Sequence, residues 1–130
     1  YGADASIATY ESLHVLAGVV LRAGFPVVVD ATYLKQAQRA AAAKVAEATG
    51  VPFLILDCEA PQAVIAGWLA QRQAANVDPS DATLQVIEAQ QASREPLSAE
   101  EVLHSKHVQT NQSADLDSLV ENIRQRLPGL

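Results

Sequence analysis

The 130-residue chain contains no methionine and a single cysteine, Cys58, and its 9 basic residues are outnumbered by 15 acidic ones. Each shortage excludes something. One cysteine forms no internal disulfide, and no Cys/His cluster has zinc spacing, so the chain is expected in a reducing cytoplasm without a structural metal. A formal charge of −6 with no stripe of Lys or Arg leaves nothing to follow a phosphate backbone, which excludes nucleic acid as an expected partner. No apolar stretch approaches the roughly 18 residues that cross a bilayer, so no membrane partner is expected either. The amino end has no basic segment leading into an apolar one, as a secretory signal would, and Tyr1-Gly2-Ala3-Asp4 reads as a start in mid-protein. Internal repeats and low-complexity linkers are also missing, although the alanine-rich stretches mimic bias.

What is there suffices for one domain over residues 1–130, since a chain that is 49% hydrophobic can bury one core. The stretch Pro26-Val27-Val28-Val29-Asp30-Ala31-Thr32 places a carboxylate and a hydroxyl directly after an apolar run. Such a run, bounded by Gly24 and Pro26, predicts a short strand buried on both faces. Asp30 then stands either beyond the carboxyl end of a strand, where ligands bind in open α/β sheets, or at the cap of the next helix.

The remaining elements alternate. Helical spacing predicts a helix over 6–23 with its apolar stripe in the core, stopped at Gly24, and a second over 34–49, stopped at Gly50. A second strand is expected over 51–58, and a third helix begins at Pro61 and runs to 75. Asn76 to Asp81 predicts a turn, with Ser80 capping a helix over 81–93. Ser98 to Glu101 forms a capping box, a third strand is expected over 106–110, and a last helix over 116–127. Helices between three apolar strands imply an α/β fold, three-layered, with a short parallel sheet flanked by helices. Neither G-x-x-x-x-G-K-[ST] nor G-x-G-x-x-G occurs, so a glycine-rich phosphate cradle is absent from these residues.

Several residues combine into a recognisable set: Thr9-Tyr10, Leu13, Gly24, Val27 to Leu34, Arg39, Pro52-Phe53, Leu56 to Pro61, Arg72, Asp78, Ser80 to Ala82, Gln90 and Glu95 to Leu97. Over about residues 5 to 110 this set resembles the second half of a P-loop kinase-like domain of the zeta-toxin and polynucleotide-kinase-like group. Such domains often lie at the carboxyl end of bacterial proteins whose first part resembles an aminoglycoside phosphotransferase. The resemblance implies an ATP and Mg²⁺ site and a hydroxyl acceptor, with the phosphates held by a loop upstream of Tyr1. It implies that Asp30 holds the Mg²⁺ shell or orients the acceptor, and that Arg72 belongs to a lid spanning about 72–97 and neutralises charge on the transferred phosphoryl group. Thr32, Arg39 and Thr110 become candidate cofactor contacts, Thr110 near the adenine. Family members often carry further arginines where Ala66 and Trp68 stand here.

Other readings of the same residues stay open. Arg72 can serve its own helix end, Arg39 can lie on a solvated face, and Asp57 can open the next helix or join Asp30 on a metal. Cys58 reads as a small buried residue, Trp68 as a core or interface anchor, and His14, His104 and His107 as structural. In the resembling kinases the strand feeding the phosphate loop lies between the strand before Asp30 and the strand before Cys58. Without it, two apolar edges are exposed. They are expected to pair directly or to recruit a second copy, and the alternative to an inactive enzyme fragment is an interaction or dimerisation module.

Overall fold

The computed structural model describes residues 2–75, 83–112 and 115–130. The first helix, α1 (Ala3–Arg22), has Asp4 in its first turn and Arg22 in its last, each matched to the sign of the nearby helix pole. It stops at Gly24 because φ there is +91°, a left-handed conformation open to glycine. The Phe25 and Gly24 amides then donate to the carbonyls of Val20 and Leu21, closing the end as a Schellman motif. The second helix, α2 (Gln36–Thr49), repeats the device with Gly50 at φ +68° and the Val51 and Gly50 amides on Ala46 and Glu47. α1 packs against α2.

Between these helices, residues 26–30 form no strand. Their amides and carbonyls make no backbone hydrogen bond with any described residue. Composition suits them to a buried strand, but a strand exists only where a neighbour completes its ladder, and Val28 is 91% exposed. Among the described residues the sheet has two strands rather than three. β1 (Ile55–Glu59) pairs in parallel with β2 (Ser105–Gln109), Ile55 opposite Ser105 and Glu59 opposite Gln109. Neither of the two edges expected to meet across a gap pairs with the other. The architecture is α/β, a short parallel sheet flanked by helices.

The β1-to-β2 connection carries α3 (Gln62–Ala75), α4 (Leu84–Ser93) and α5 (Ala99–Leu103). Pro61 directly precedes α3, as expected. The cap of α4 is Thr83, whose hydroxyl accepts from the Val86 amide; the expected cap, Ser80, and the turn 76–81 lie outside the described residues. Both halves of the Ser98–Glu101 capping box form. The last helix, α6 (Leu116–Arg126), is capped by Asp115 and returns to the sheet through Arg126, whose guanidinium donates to the carbonyls of Ser105 and Leu103.

The core is thin. Among the described residues only Ala17, Ala46 and Leu69 are buried hydrophobics. The α1 stripe expected in the core is only partly covered: Ala17 is buried and Tyr10, Leu13 and Leu21 are half-buried, but Leu16 is 62% exposed and Ile7 and Val20 are open, and Trp68 is 41% exposed rather than a core anchor. One buried polar residue partly replaces the missing core: Arg39, 4% exposed, donates to both oxygens of Glu101 and to the carbonyls of Tyr33 and Pro96. The solvated-face alternative for Arg39 therefore fails. A second set of contacts joins the same regions: Lys35 Nζ donates to the Ser93 carbonyl at 2.8 Å, the Gln36 amide to Glu95, and the Glu95 amide to the Leu34 carbonyl.

Candidate functional site

The turn 30–33 follows the apolar segment 26–29 and precedes α2. Asp30 is exposed and makes no hydrogen bond or ion pair with any described residue, so its carboxylate does not cap α2; the cap is Lys35. Asp30 lines an apolar groove formed by α1 and residues 27–30, with Leu13, Leu16, Val20 and Val28 among its walls. Its charge also reaches Cys58. Partial burial of the thiol, then the carboxylates of Asp57 and Asp30, hold the Cys58 pKa above its usual value. Cys58 itself is exposed, against the buried reading, and its raised pKa disfavours a thiolate nucleophile.

Three aromatic rings fix the turn. Tyr33 is the one non-glycine residue at positive φ among those described, at +44°, where a bulky side chain is strained. Its amide donates to Tyr10 Oη at 2.9 Å, its carbonyl accepts from Arg39 at 2.8 Å, and its hydroxyl meets His14 Nε2 at 3.0 Å. Tyr10 Oη also lies 3.1 Å from Thr32 Oγ1. The Tyr10 and Tyr33 rings meet edge to face with centroids 5.0 Å apart. Burial lowers the His14 pKa, while burial and then Tyr10 raise that of Tyr33. His14, expected to have no shared partner, thus has a definite one in Tyr33.

A second polar group spans the sheet. Asp57 binds Arg94 at 2.7 Å and faces His107 Nδ1 at 3.5 Å, while His107 Nε2 lies 3.3 Å from Glu59. Asp57 thus lies within β1 and does not open a helix. Among the described residues no group of three or more His, Cys, Asp or Glu side chains could hold an ion. Arg72 sits exposed in the last turn of α3. Thr110 follows β2, its hydroxyl and amide both donating to the Glu59 carbonyl.

Of the residues expected to act together, the fold joins Asp30, Thr32 and, beneath the turn, Arg39. Arg72 and Thr110 stand on other elements. The roles of Tyr10, His14 and Tyr33 were missed, although Tyr10 and His14 are spaced i, i+4 and share one face of α1, a signal open to reading. The Glu101 partner of Arg39 was missed too, because 62 residues separate the pair.

A short parallel sheet flanked by helices is consistent with a P-loop NTPase-like domain. The family comparison agrees: the AAA domain model matches residues 1–97, and the chain belongs to that family. No curated protein and no solved structure matches the chain. No helix among the described residues is long and apolar enough to cross a membrane.

Proposed function

We propose that this chain is part of an ATP-dependent phosphotransferase of the zeta-toxin and polynucleotide-kinase-like group, acting on a hydroxyl acceptor. The observation that carries the reading is the exposed Asp30 carboxylate, without a hydrogen-bond or ion-pair partner among the described residues, two positions before Thr32 on a turn bonded from three sides. One exposed carboxylate with a neighbouring hydroxyl is a hard-oxygen donor set of the kind that suits Mg²⁺, which keeps most of its waters and shares phosphate oxygens. Bound there, the ion would neutralise charge on the phosphates. Asp30 would hold its water shell or orient the acceptor, Arg72 would act from the lid, and Thr32, Arg39 and Thr110 would support the nucleotide. Arg39 would do so from beneath, because its donors hold Glu101, Tyr33 and Pro96. The phosphate cradle itself would come from polypeptide outside these 130 residues, so the chain alone would be inactive.

Titration of the full-length protein with Mg-ATP, wild type against Asp30→Asn, tests this. Affinity or turnover should fall about tenfold to a hundredfold. Equal values for both proteins would remove Asp30 from the mechanism.

The exposed backbone of 26–30 and the open edge of β1 favour one further reading, an interaction module in which a second copy pairs with these edges. Sedimentation of the 130-residue chain separates the readings. A dimer that Val28→Lys dissociates supports the module, and a monomer at high concentration refutes it.

A further inference from the structure

We propose that Tyr10 is a positioning residue that makes Thr32 a hydrogen-bond donor aimed at a phosphoryl oxygen, an inference that rests on the nucleotide reading above. The argument is a count of protons. The Tyr33 amide can only donate, so Tyr10 Oη accepts from it at 2.9 Å. Tyr10 retains one proton of its own, and Thr32 Oγ1, at 3.1 Å, is its other partner among the described residues. A phenol is a stronger donor and a weaker acceptor than an aliphatic alcohol, and the acceptor side of this phenol is already engaged. The proton in the Tyr10–Thr32 contact therefore belongs to Tyr10.

Thr32 accepts that bond, which leaves its own hydroxyl proton uncommitted. Thr32 is exposed, and its hydroxyl has no further partner among the described residues. The relay runs from the Tyr33 amide through Tyr10 to Thr32, and each accepted bond polarises the next donor. It ends in a hydroxyl whose proton is uncommitted and polarised by the bond it accepts, which strengthens a bond donated to an acceptor oxygen such as that of a phosphoryl group, while one lone pair stays open. The positive φ of Tyr33 fits this geometry: it aims the amide at Tyr10, and three contacts hold it there.

The test measures the Kd for Mg-ATP in the full-length protein for wild type, Thr32→Ala, Thr32→Ser, Tyr10→Phe and the double variant Tyr10→Phe/Thr32→Ala. Thr32→Ala should weaken binding about tenfold, as loss of a bond to a charged oxygen does, and Thr32→Ser should restore it. Tyr10→Phe should weaken binding about threefold in the wild type and not at all in the Thr32→Ala background, because the relay is then already broken. Equal losses in both backgrounds would mean that Tyr10 acts only through folding and would overturn its positioning role. If Tyr10→Phe does not fold, Thr32→Val, which keeps the shape and lacks the donor, must bind as weakly as Thr32→Ala. Wild-type affinity in Thr32→Ala with loss in Asp30→Asn would overturn this inference alone. Absence of Mg-ATP binding by the wild type would overturn the nucleotide reading with it.

Discussion

Removing the Arg39 guanidinium should do more damage than any other single side-chain change in this protein. Arg39 is 4% exposed and meets Glu101 at 2.6 Å and 3.2 Å through Nε and Nη2, the bidentate geometry of a strong pair. Arg39→Ala strands the largely buried Glu101 carboxylate and removes a donor from the Tyr33 and Pro96 carbonyls. Breaking a buried pair from one side costs about 3–5 kcal/mol, against a total stability on the order of 5–15 kcal/mol for a domain. Urea unfolding of wild type and Arg39→Ala would measure the loss. Glu101→Gln should cost less, because Gln still completes the capping box with Ser98. The pH dependence supplies an independent check. Chiefly the Arg39 hydrogen bond, opposed by burial and assisted by Ser98, holds the Glu101 carboxyl below the usual carboxylate range. The unfolded chain therefore binds the proton first as pH falls, so the contribution is complete above about pH 5 and is lost as pH drops through the depressed folded value. The stability gap between wild type and Glu101→Gln should be flat above that pH and close below it. A loss under about 1 kcal/mol for Arg39→Ala, or a gap that widens in acid, would refute the assignment of Arg39 as the strut under the turn.

Gly50→Ala should destabilise by about 1 kcal/mol through backbone strain alone, since nothing lies within 4 Å of the added Cβ while φ is +68°; unfolding by denaturant reads it, and a stabilised variant would contradict the left-handed cap. Ser98→Ala should cost about 1 kcal/mol, the usual value of a capping hydroxyl. Burial lowers the His14 pKa, so the unfolded chain takes up the proton first and stability should decline as pH falls below about 6.5. Replacing His14 with Gln should remove that part of the decline, and an unchanged slope would exclude His14 as its source.

Local chemistry was legible and long-range closure was not. Gly24 and Gly50 announce two helix ends because only a left-handed residue closes them, and Ser98 with Glu101 announces α5 because both partners of the box lie within one turn. Asp30 and Thr32 stand out for the same reason, as polar groups abutting an apolar run. The Val27–Val29 strand fails because a strand is a relation between two segments, and composition names only one of them. Arg39 misleads in the opposite sense: on an alanine-rich helix it resembles a solvated residue, and only the approach of Glu101 from the far end of the chain makes it a buried one.

The surface area and the pattern of open hydrogen bonds point to the same deficit. A folded monomer of 13.8 kDa exposes about 6,600 Å² by the usual scaling, and this chain exposes 9274 Å². The excess is on the scale of an obligate interface. The ladder indicates where part of it belongs. The Ile55 amide donates to His104 and the Glu59 carbonyl accepts from Thr110, so the odd-numbered residues of β1 face β2. Leu56 and Cys58 therefore turn their amides to the opposite edge, where the described residues offer them nothing. Two strands make a marginal sheet, and a third pairing with Leu56 and Cys58 would satisfy the backbone of that edge. Amide exchange reads this directly. In the isolated monomer Ile55, Asp57 and Glu59 should be protected while Leu56 and Cys58 exchange fast, and protection of the latter two should appear only when that edge is filled. Uniform protection along β1 in a monomer would mean that the edge is already closed, and the inference from excess area would fail with it.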